Sequence, residues 1–279
     1  MDLVIQAPAI ASTELTSIAA LAGAQGITVL HESADTAFRL LRVQTRAGVA
    51  EFCAPAEIDY AFVASDLTRN RVRLVAMDMD STLITIECID EIADMIGIKS
   101  QVSAITAAAM RGEIDFRESL ARRVALLAGL PVTALQRVYD ERLALSPGTE
   151  RMLAGFTKIG AKTLLASGGF TFFTDRLKSR LDLDETVSNS LEVAGGKLTG
   201  RLSGQVIDAQ AKASRLLALK EELCAGAGVV VALGDGANDL PMLKAADVSV
   251  AYHAKPVVRA QASYALNYCG LDAVLNLFL

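Results

Sequence analysis

The chain has 279 residues, of which 52% are hydrophobic and 21% are charged, and its formal net charge is −5. This composition supports a packed core and excludes a disordered chain. An acidic chain without a basic patch is a poor candidate for binding nucleic acid. The longest apolar run, AGAGVVVALG, is too short to span a bilayer, and no secretory signal is visible. We therefore expect a cytoplasmic protein without a membrane segment.

The cysteines and histidines exclude several kinds of site. The four cysteines are scattered and form no C-x-x-C pair. This suits a reducing compartment and argues against a disulfide framework or a zinc site. The two histidines, His31 and His253, are far apart in sequence, which argues against a histidine-rich metal site or a serine-type triad.

Residues 1–70 form a small separate unit with a predicted β-α-β-β-α order. LVIQA and ITVLHE are typical of strands, AFRLLRVQT of a third strand, and PAEIDYAFVASDL of a second helix. Gly26 is expected to end the first helix. The apolar residues of that helix repeat at helical spacing: Leu15, Ile18, Ala19 and Ala22. The order suggests an α+β ferredoxin-like unit, although no final strand is visible to complete it.

From Arg71 onward, apolar strands alternate with helical segments. RLVAMDMD, KTLLASGG and GVVVALGDGAND are apolar runs that end in Asp, Ser or Gly. Such strands predict an α/β fold, with a Rossmann-like parallel sheet and helices on both faces. Ligands of these sheets bind at the carboxyl ends of the strands, where the polar residues fall.

A helical insert separates the first two of these strands, at about residues 87–145. Because it leaves the ligand-binding end of the sheet, it is placed to act as a lid. Apolar residues share one face in each of two predicted helices: Ile89, Ile92 and Ile96, then Leu120, Val124 and Leu127.

Paired carboxylates follow two of the predicted strands. Asp78 and Asp80 end the first strand, and Asp235 and Asp239 follow another. Like charges at a buried strand end are costly unless something compensates them. A divalent cation such as Mg²⁺, which prefers oxygen ligands, provides that compensation. The sequence therefore predicts a magnesium site at this edge of the sheet.

The same residue types suit phosphoryl transfer. An aspartate can attack phosphorus and form an acyl phosphate, while a second carboxylate moves the proton of the leaving group. Ser167 offers a hydroxyl, and the glycines after it let backbone N–H groups approach phosphate oxygens. Lys212 offers a positive charge to these oxygens.

Four motifs occur in order: D-x-D-S-T, S-G-G-F, a lysine, and G-D-G-x-N-D. This arrangement resembles the signature of haloacid dehalogenase-type phosphohydrolases. The segments DMDSTLITIECIDEIA, MRGEIDFRESLARRVALL and GDGANDLPML make the chain similar, over about residues 71–279, to the phosphoserine phosphatase family. The resemblance implies Mg²⁺-dependent hydrolysis of O-phospho-L-serine through an aspartyl phosphate, as the last step of serine biosynthesis.

The resemblance also implies the roles of the acidic residues. Asp78 would be the nucleophile and Asp80 the general acid/base. Mg²⁺ would be held by the carboxylates of Asp78 and Asp235 and by the backbone carbonyl of Asp80. Asp239 would support this metal site.

The phosphoryl group would be held by Ser167, Gly168 and Lys212, with Asn238 close to it. These assignments again follow from the resemblance. The match around the lysine is loose, so Lys220 is an alternative to Lys212.

In the predicted lid, the resemblance assigns Glu87 and Arg123 to the amino-acid end of phosphoserine, and Met110 and Phe116 to the pocket wall. Simpler roles stay open for each of them. Glu87 could cap the first lid helix, and Arg123 could simply be solvated. Met110 and Phe116 could be core residues of the lid.

The order of elements in residues 1–70 resembles the amino-acid-binding ACT type. Such a unit could bind serine as a feedback signal, mediate homodimerisation, or only stabilise the phosphatase. Since all four motifs lie beyond Thr68, we expect the rest of the chain to fold and work without this unit.

Two other functions stay open. One is hydrolysis or transfer in the same superfamily on another small phosphomonoester, such as phosphohomoserine. The other is a signalling receiver or binding module in which an aspartate is only phosphorylated or metal-loaded. Asp80 argues against such a module, because a binding protein does not need an acid/base two residues after the nucleophile.

Overall fold

A computed structural model of the chain describes residues 1–224 and 226–279. In this part of the chain the strands are β1 (Asp2–Ala7), β2 (Gly26–Leu30), β3 (Thr36–Leu41), β4 (Asp59–Val63), β5 (Val72–Met77), β6 (Lys162–Phe170), β7 (Glu185–Ala194), β8 (Lys197–Ser203), β9 (Val229–Gly234), β10 (Val248–Tyr252) and β11 (Tyr264–Leu266). The α-helices are α1 (Ser12–Ala22), α2 (Val49–Cys53), α3 (Cys88–Met95), α4 (Lys99–Met110), α5 (Phe116–Ala125), α6 (Val132–Glu141), α7 (Thr149–Thr157), α8 (Thr171–Leu181), α9 (Ala209–Cys224), α10 (Leu240–Ala245) and α11 (Pro256–Arg259).

The N-terminal unit is an antiparallel four-stranded sheet in the order β2-β3-β1-β4. Leu3 and Ile5 of β1 are buried in one core with Ile18 and Ala22 of α1, since residues two apart in a strand share a face. With α1 and α2 as its crossovers, this unit has the ferredoxin-like β-α-β-β-α-β order. The predicted architecture of the unit is therefore confirmed.

The final strand of this unit lies in a segment that the sequence analysis assigned to a helix. The prediction of a helix over PAEIDYAFVASDL is wrong: its central residues form β4, and α2 comes earlier in the chain. Asp59, Ala61 and Val63 are buried while the residues between them are less so, which is the period of two that marks a strand. The predicted end of α1 at Gly26 is also wrong: Gly23 adopts the left-handed conformation there (φ 63°), and Gly26 begins β2.

The main sheet has the order β11-β10-β9-β5-β6-β7-β8, and only the edge pair β7–β8 is antiparallel. Successive residues of β5 enter different cores. Leu74 and Ala76 face a core shared with α9, while Val75 and Met77 face a core shared with α7 and α8. Both faces of the sheet are thus covered, which confirms the predicted α/β class.

Helices α3 to α6 occupy the stretch where the lid is predicted, and they leave and rejoin the main sheet through two adjacent segments. The N–H of Thr85 donates to the carbonyl of Ala144, and the N–H of Ser146 donates to that of Leu83, both at 3.0 Å. We call the helical insert the cap. Of the expected apolar face, Ile89 and Ile92 are buried, but Ile96 lies beyond α3 and is exposed.

The N-terminal sheet shares a core with the rest of the chain. Val4 and Val63 are buried together with residues of the main sheet. The buried Arg39 donates from Nη2 to the carbonyls of Asn276 and Phe278, at 3.0 and 2.9 Å. The motif positions alone suggested a separable unit, but this shared core predicts that its removal destabilises the rest.

Every helix in the described ranges is too short or too polar to cross a lipid bilayer.

Candidate active site

The predicted catalytic residues converge at the carboxyl ends of three adjacent strands, β9, β5 and β6. Asp78 follows β5, Asp235 follows β9, and Ser167 lies near the end of β6. After Asp78 the chain turns sharply over residues 79–83, where Ser81 adopts a left-handed conformation (φ 54°). This turn directs the chain from β5 toward the cap.

Lys212 links two of the carboxylates at the centre of the site. Its ammonium donates to Asp78 Oδ1 at 2.6 Å and to Asp239 Oδ1 at 2.9 Å. The lysine is almost completely buried at 1% exposure, so its charge must be paired there. Burial alone disfavours the ammonium, but Asp239 and Asp78 outweigh it and raise the pKa of Lys212. The lysine therefore stays charged beside Asp78.

Asp78, Asp235 and Asp239 offer carboxylate oxygens that lie within 4.8 Å of one another. Burial, and then the charge of Asp239, raise the pKa of Asp78, and the same causes raise the pKa of Asp235 to about 6. A divalent cation relieves this crowding of negative charge, and such cations prefer oxygen ligands. The donor set of the site thus fits a hard divalent metal ion.

Asp80 lies beside this cluster and has a different environment. Its Oδ1 accepts a hydrogen bond from the backbone N–H of Cys88, the first residue of α3, at 3.1 Å. Burial, and then the charge of Glu87, raise the pKa of Asp80 to about 7. A carboxyl group with this pKa can both donate and accept a proton near neutral pH.

The S-G-G segment lies beside Asp80 near the end of β6, where the pairing with β7 shifts register, and we call this irregular stretch the Ser167–Gly169 loop. The N–H of Gly169 donates to Ser167 Oγ at 2.8 Å. A Cβ at Gly169 would lie 3.0 Å from Asp80 Oδ2, so a side chain there would crowd the carboxylate. The carbonyl of Gly168 accepts a hydrogen bond from Asn189 Nδ2 at 2.9 Å. The conformation of the loop is therefore stabilised by a hydrogen bond within the segment and by a second one from Asn189.

The sequence analysis missed Asn189, which lies on β7 and is buried. Its side chain also accepts a hydrogen bond from the backbone N–H of Ile207 at 2.8 Å. Asn189 thus connects the Ser167–Gly169 loop to the chain just before α9, the helix that carries Lys212. A single buried asparagine in TVSNSLEV belongs to no motif, and its polar character inside a strand was the only available signal.

Of the two candidate lysines, only Lys212 reaches the site. Lys220 lies eight residues further along α9, and its ammonium contacts Asp247 Oδ1 at 2.5 Å. Asn238 lies at the edge of the cluster, where its Nδ2 donates to Asp239 Oδ1 at 3.3 Å. Its side chain is exposed and so accessible to a ligand.

Glu87 and Arg123 lie close enough for their charges to interact. Glu87 Oε1 accepts a hydrogen bond from Ser81 Oγ at 2.7 Å, and its side chain does not cap α3. Arg123 on α5 is half-buried: burial lowers its pKa, while Asp90, Glu87 and Asp80 act in the opposite direction. The guanidinium thus lies in the field of several carboxylates, including that of Asp80.

Phe116 and Met110 are placed differently from each other. A Cβ at Gly168 would lie 3.3 Å from Phe116 Cζ, so this ring covers the loop where phosphate binding is predicted. Met110, at the end of α4, is 72% exposed and is not brought into the site. Its predicted role in the pocket wall therefore has no support from the structure.

The sequence matches the family of haloacid dehalogenase-like hydrolases over residues 72–247, and a domain of unknown function over residues 3–49. The chain belongs to the haloacid dehalogenase-like hydrolases.

Several similar proteins have been named for an activity. The chain is 50% identical over 236 residues to a phosphoserine phosphatase from Polaromonas sp.. The matched region covers 80% of this chain and 98% of that relative. A crystal structure of a probable phosphoserine phosphatase from Vibrio cholerae is 35% identical with a TM-score of 0.83, covering 99% and 85% of the two chains. A substrate-bound phosphoserine phosphatase complex is 34% identical with a TM-score of 0.68, covering 75% of this chain and 99% of that one.

Proposed function

We propose that this protein hydrolyses O-phospho-L-serine to L-serine and phosphate. The observation that carries the proposal is the buried Asp78 carboxylate, paired with Lys212 at 2.6 Å beside the Ser167–Gly169 loop. The similarity to proteins named phosphoserine phosphatase, at up to 50% identity among those reported above, supports the choice of substrate.

In the first half of the reaction, Asp78 acts as the nucleophile. Its carboxylate oxygen forms a bond to phosphorus, and the bond between phosphorus and the serine oxygen breaks. Asp80 gives its proton to the departing serine oxygen, which would otherwise leave as a strongly basic alkoxide. The pKa of about 7 for Asp80 supports this role, because part of the population is protonated at neutral pH.

In the second half, water attacks the phosphorus of the aspartyl phosphate. Asp80, now deprotonated, accepts the proton of this water, and the bond between phosphorus and Asp78 breaks. The reaction thus regenerates the carboxylate of Asp78 and the protonated form of Asp80, and it releases phosphate. Throughout, Lys212 and the Ser167–Gly169 loop stabilise the negative charge on the phosphoryl oxygens.

We further propose Mg²⁺ as the metal ion. The carboxylates of Asp78 and Asp235, with the backbone carbonyl of Asp80, would hold it, and Asp239 would support the site through its contact with Lys212. When bound, Mg²⁺ neutralises negative charge on the phosphate and on Asp78. This assignment rests on the donor set, which is composed of oxygen atoms alone.

The cap residues provide the recognition of serine in this proposal. Glu87 pairs with the substrate ammonium and Arg123 with its carboxylate, while Phe116 closes the pocket over the phosphoryl group. Charged groups that the cap removes from water need partners, and these two residues offer one of each sign. Met110 is not included, because it is exposed.

We also infer a reducing, cytoplasmic location, since all four cysteines are free and buried thiols. Homodimerisation and serine binding by the N-terminal unit stay predictions from the ACT-like order of its elements.

One experiment tests the proposed function directly. Phosphate release is measured from O-phospho-L-serine, phosphohomoserine and a panel of other phosphomonoesters, with Mg²⁺ and with EDTA. We expect the highest kcat/KM for phosphoserine and a loss of turnover in EDTA that Mg²⁺ restores. A higher kcat/KM for another ester would overturn the substrate assignment.

A further inference from the structure

The cap segment 99–125, which comprises α4, α5 and the loop between them, is attached firmly at one end. Just beyond α5, the N–H of Gly129 donates to the carbonyl of Leu198 on β8, and the N–H of Leu198 donates to the carbonyl of Leu130, both at 2.8 Å. Gly200 on β8 allows this close approach, because a Cβ there would clash with the residues that end α5. The C-terminal end of α5 is therefore fixed to the main sheet.

The other end of α5, which lies over the Ser167–Gly169 loop, is held by an ion pair. Arg117 donates from Nη2 and Nε to Asp208 Oδ2, at 2.6 and 3.1 Å. Asp208 precedes α9, and its Oδ1 accepts the N–H of Ala211 at 3.0 Å. The pair thus joins the start of α5 to the start of the helix that carries Lys212.

Within the residues that the structure describes, this ion pair is the only hydrogen-bonded contact between segment 99–125 and the chain outside the cap. At this end the ring of Phe116 also lies over Gly168, where an added Cβ would come within 3.3 Å of its Cζ. Arg117 is 58% exposed and Asp208 is 21% exposed, so dissolved ions can reach and screen the pair.

We propose that Arg117 and Asp208 form a tether that holds the cap over the active site and sets its equilibrium between open and closed positions. Arg117 is a positioning residue: it acts through Phe116, its neighbour, and through Arg123, which lies on the same helix. The tether deepens the proposed function, since its kinetic effect is expressed in phosphoserine hydrolysis.

The kinetic test compares Arg117→Ala with Arg122→Ala. Arg122 lies on the same helix with similar exposure, but its ion pair with Glu118 stays within α5. Exposed ion pairs contribute little each, so we expect Arg117→Ala to lower kcat/KM for phosphoserine by about two- to fivefold, mainly through KM. Arg117→Lys should recover part of this loss, and Arg122→Ala should change kcat/KM by less than about 1.5-fold.

Two further measurements separate a tether from a general structural effect. At about 0.5 M salt the difference between the wild type and Arg117→Ala should nearly vanish, because the ion pair is screened. In a double-mutant cycle with Asp208→Asn, which retains an acceptor for Ala211, the two losses should not add. Losses of kcat/KM that are additive and that persist at high salt would overturn the proposal of a tether.

Hydrogen exchange tests the tether without any substrate. Amides of residues 99–125 should exchange faster in Arg117→Ala than in Arg122→Ala, while those of the main sheet stay unchanged. Equal exchange rates of these amides in the two variants would overturn the proposal of a tether, whichever substrate the enzyme uses. If exchange differs but no variant hydrolyses phosphoserine, the tether holds and the proposed function fails.

Discussion

At the scale of single residues, Asp78 and Asp80 have the same side chain but different surroundings, and the proposed mechanism gives them different roles. Asp78 is paired with the ammonium of Lys212 at 2.6 Å, whereas Asp80 accepts the backbone N–H of Cys88 and lies in the field of Glu87. The ammonium of Lys212 opposes the burial and the Asp239 charge that raise the pKa of Asp78, whereas burial and then the charge of Glu87 raise the pKa of Asp80 to about 7.

Asp80→Asn should slow phosphoserine hydrolysis by about 10²–10⁴-fold, the usual cost of losing a general acid/base. The loss in the first step should be much smaller for p-nitrophenyl phosphate, because p-nitrophenolate leaves without a proton. The second step still lacks its base, so an acyl phosphate should accumulate. Rapid-quench measurements of phosphoenzyme and product test this, and equal losses for both substrates in the first step would contradict it.

Arg123→Ala should lower kcat/KM for phosphoserine by about 10- to 150-fold, because charged hydrogen bonds are worth about 1.5–3 kcal/mol. For p-nitrophenyl phosphate, which has no carboxylate, the loss should be small. Arg123→Lys should recover little, since lysine cannot form the two-pronged pair with a carboxylate. The neighbouring Arg122→Ala is the matched control. An unchanged ratio of kcat/KM between the two substrates would show that Arg123 does not recognise the amino-acid part of phosphoserine.

At the scale of secondary-structure elements, one carboxylate joins the starts of two parallel strands. Asp184, just before β7, accepts hydrogen bonds from the N–H and the hydroxyl of Thr163, the second residue of β6, at 2.9 and 3.0 Å. Lys162 Nζ adds an ion pair at 2.6 Å. Burial acts to raise the pKa of Asp184, but the hydrogen bonds from Lys162 and Thr163 outweigh it, so the pKa is lowered on folding.

This shift predicts how stability depends on pH. Because the pKa of Asp184 is lower in the folded protein, its contribution is present above the unfolded pKa of about 3.9 and is lost as the pH falls through the folded value. Asp184→Asn should therefore cost about 1 kcal/mol of unfolding free energy at pH 7, and less in acid. Denaturant titrations at several pH values measure the difference. Glu221→Gln, an exposed position on α9, is the control and should show no such trend.

At the scale of the whole molecule, hydrogen bonds of buried polar groups connect the N-terminal unit to the main sheet. The carboxylate of Asp59 on β4 accepts the backbone N–H groups of Asn267, Tyr268 and Cys269, at 2.7, 2.9 and 3.1 Å. These donors follow β11, at the edge of the main sheet. Since unsatisfied buried donors are costly, we expect the two units to unfold together.

Asp59→Ala should therefore lower the unfolding free energy of the entire chain by about 1–3 kcal/mol, the cost of leaving buried donors without a partner. Calorimetry should show one transition that moves as a whole. Asp66→Ala, an exposed carboxylate close by in sequence, should leave it in place. A chain without residues 1–68 should unfold at a lower temperature or aggregate. Two separate transitions in the wild type would contradict the shared core.

The sequence by itself determined the fold class and the edge of the sheet where the site lies. Fully apolar strands that end in Asp78 and Asp235 require a sheet covered on both faces, and such sheets place ligands at their carboxyl ends. These properties are local: each depends on a run of apolar residues and on the polar residue that follows it. The motif spacing then predicted the catalytic residues before any contact between them was known.

Contacts between distant segments were decided only by the tertiary structure. Lys212 and Lys220 lie on one helix about 12 Å apart along its axis, so only packing against the sheet selects Lys212. The short apolar pattern of β4 fits both a helix and a strand, and only its pairing with β1 decides for the strand. Arg117 and Asp208 are 91 residues apart and belong to no motif. Their contact depends on how the cap lies on the sheet, which no local pattern in the chain encodes.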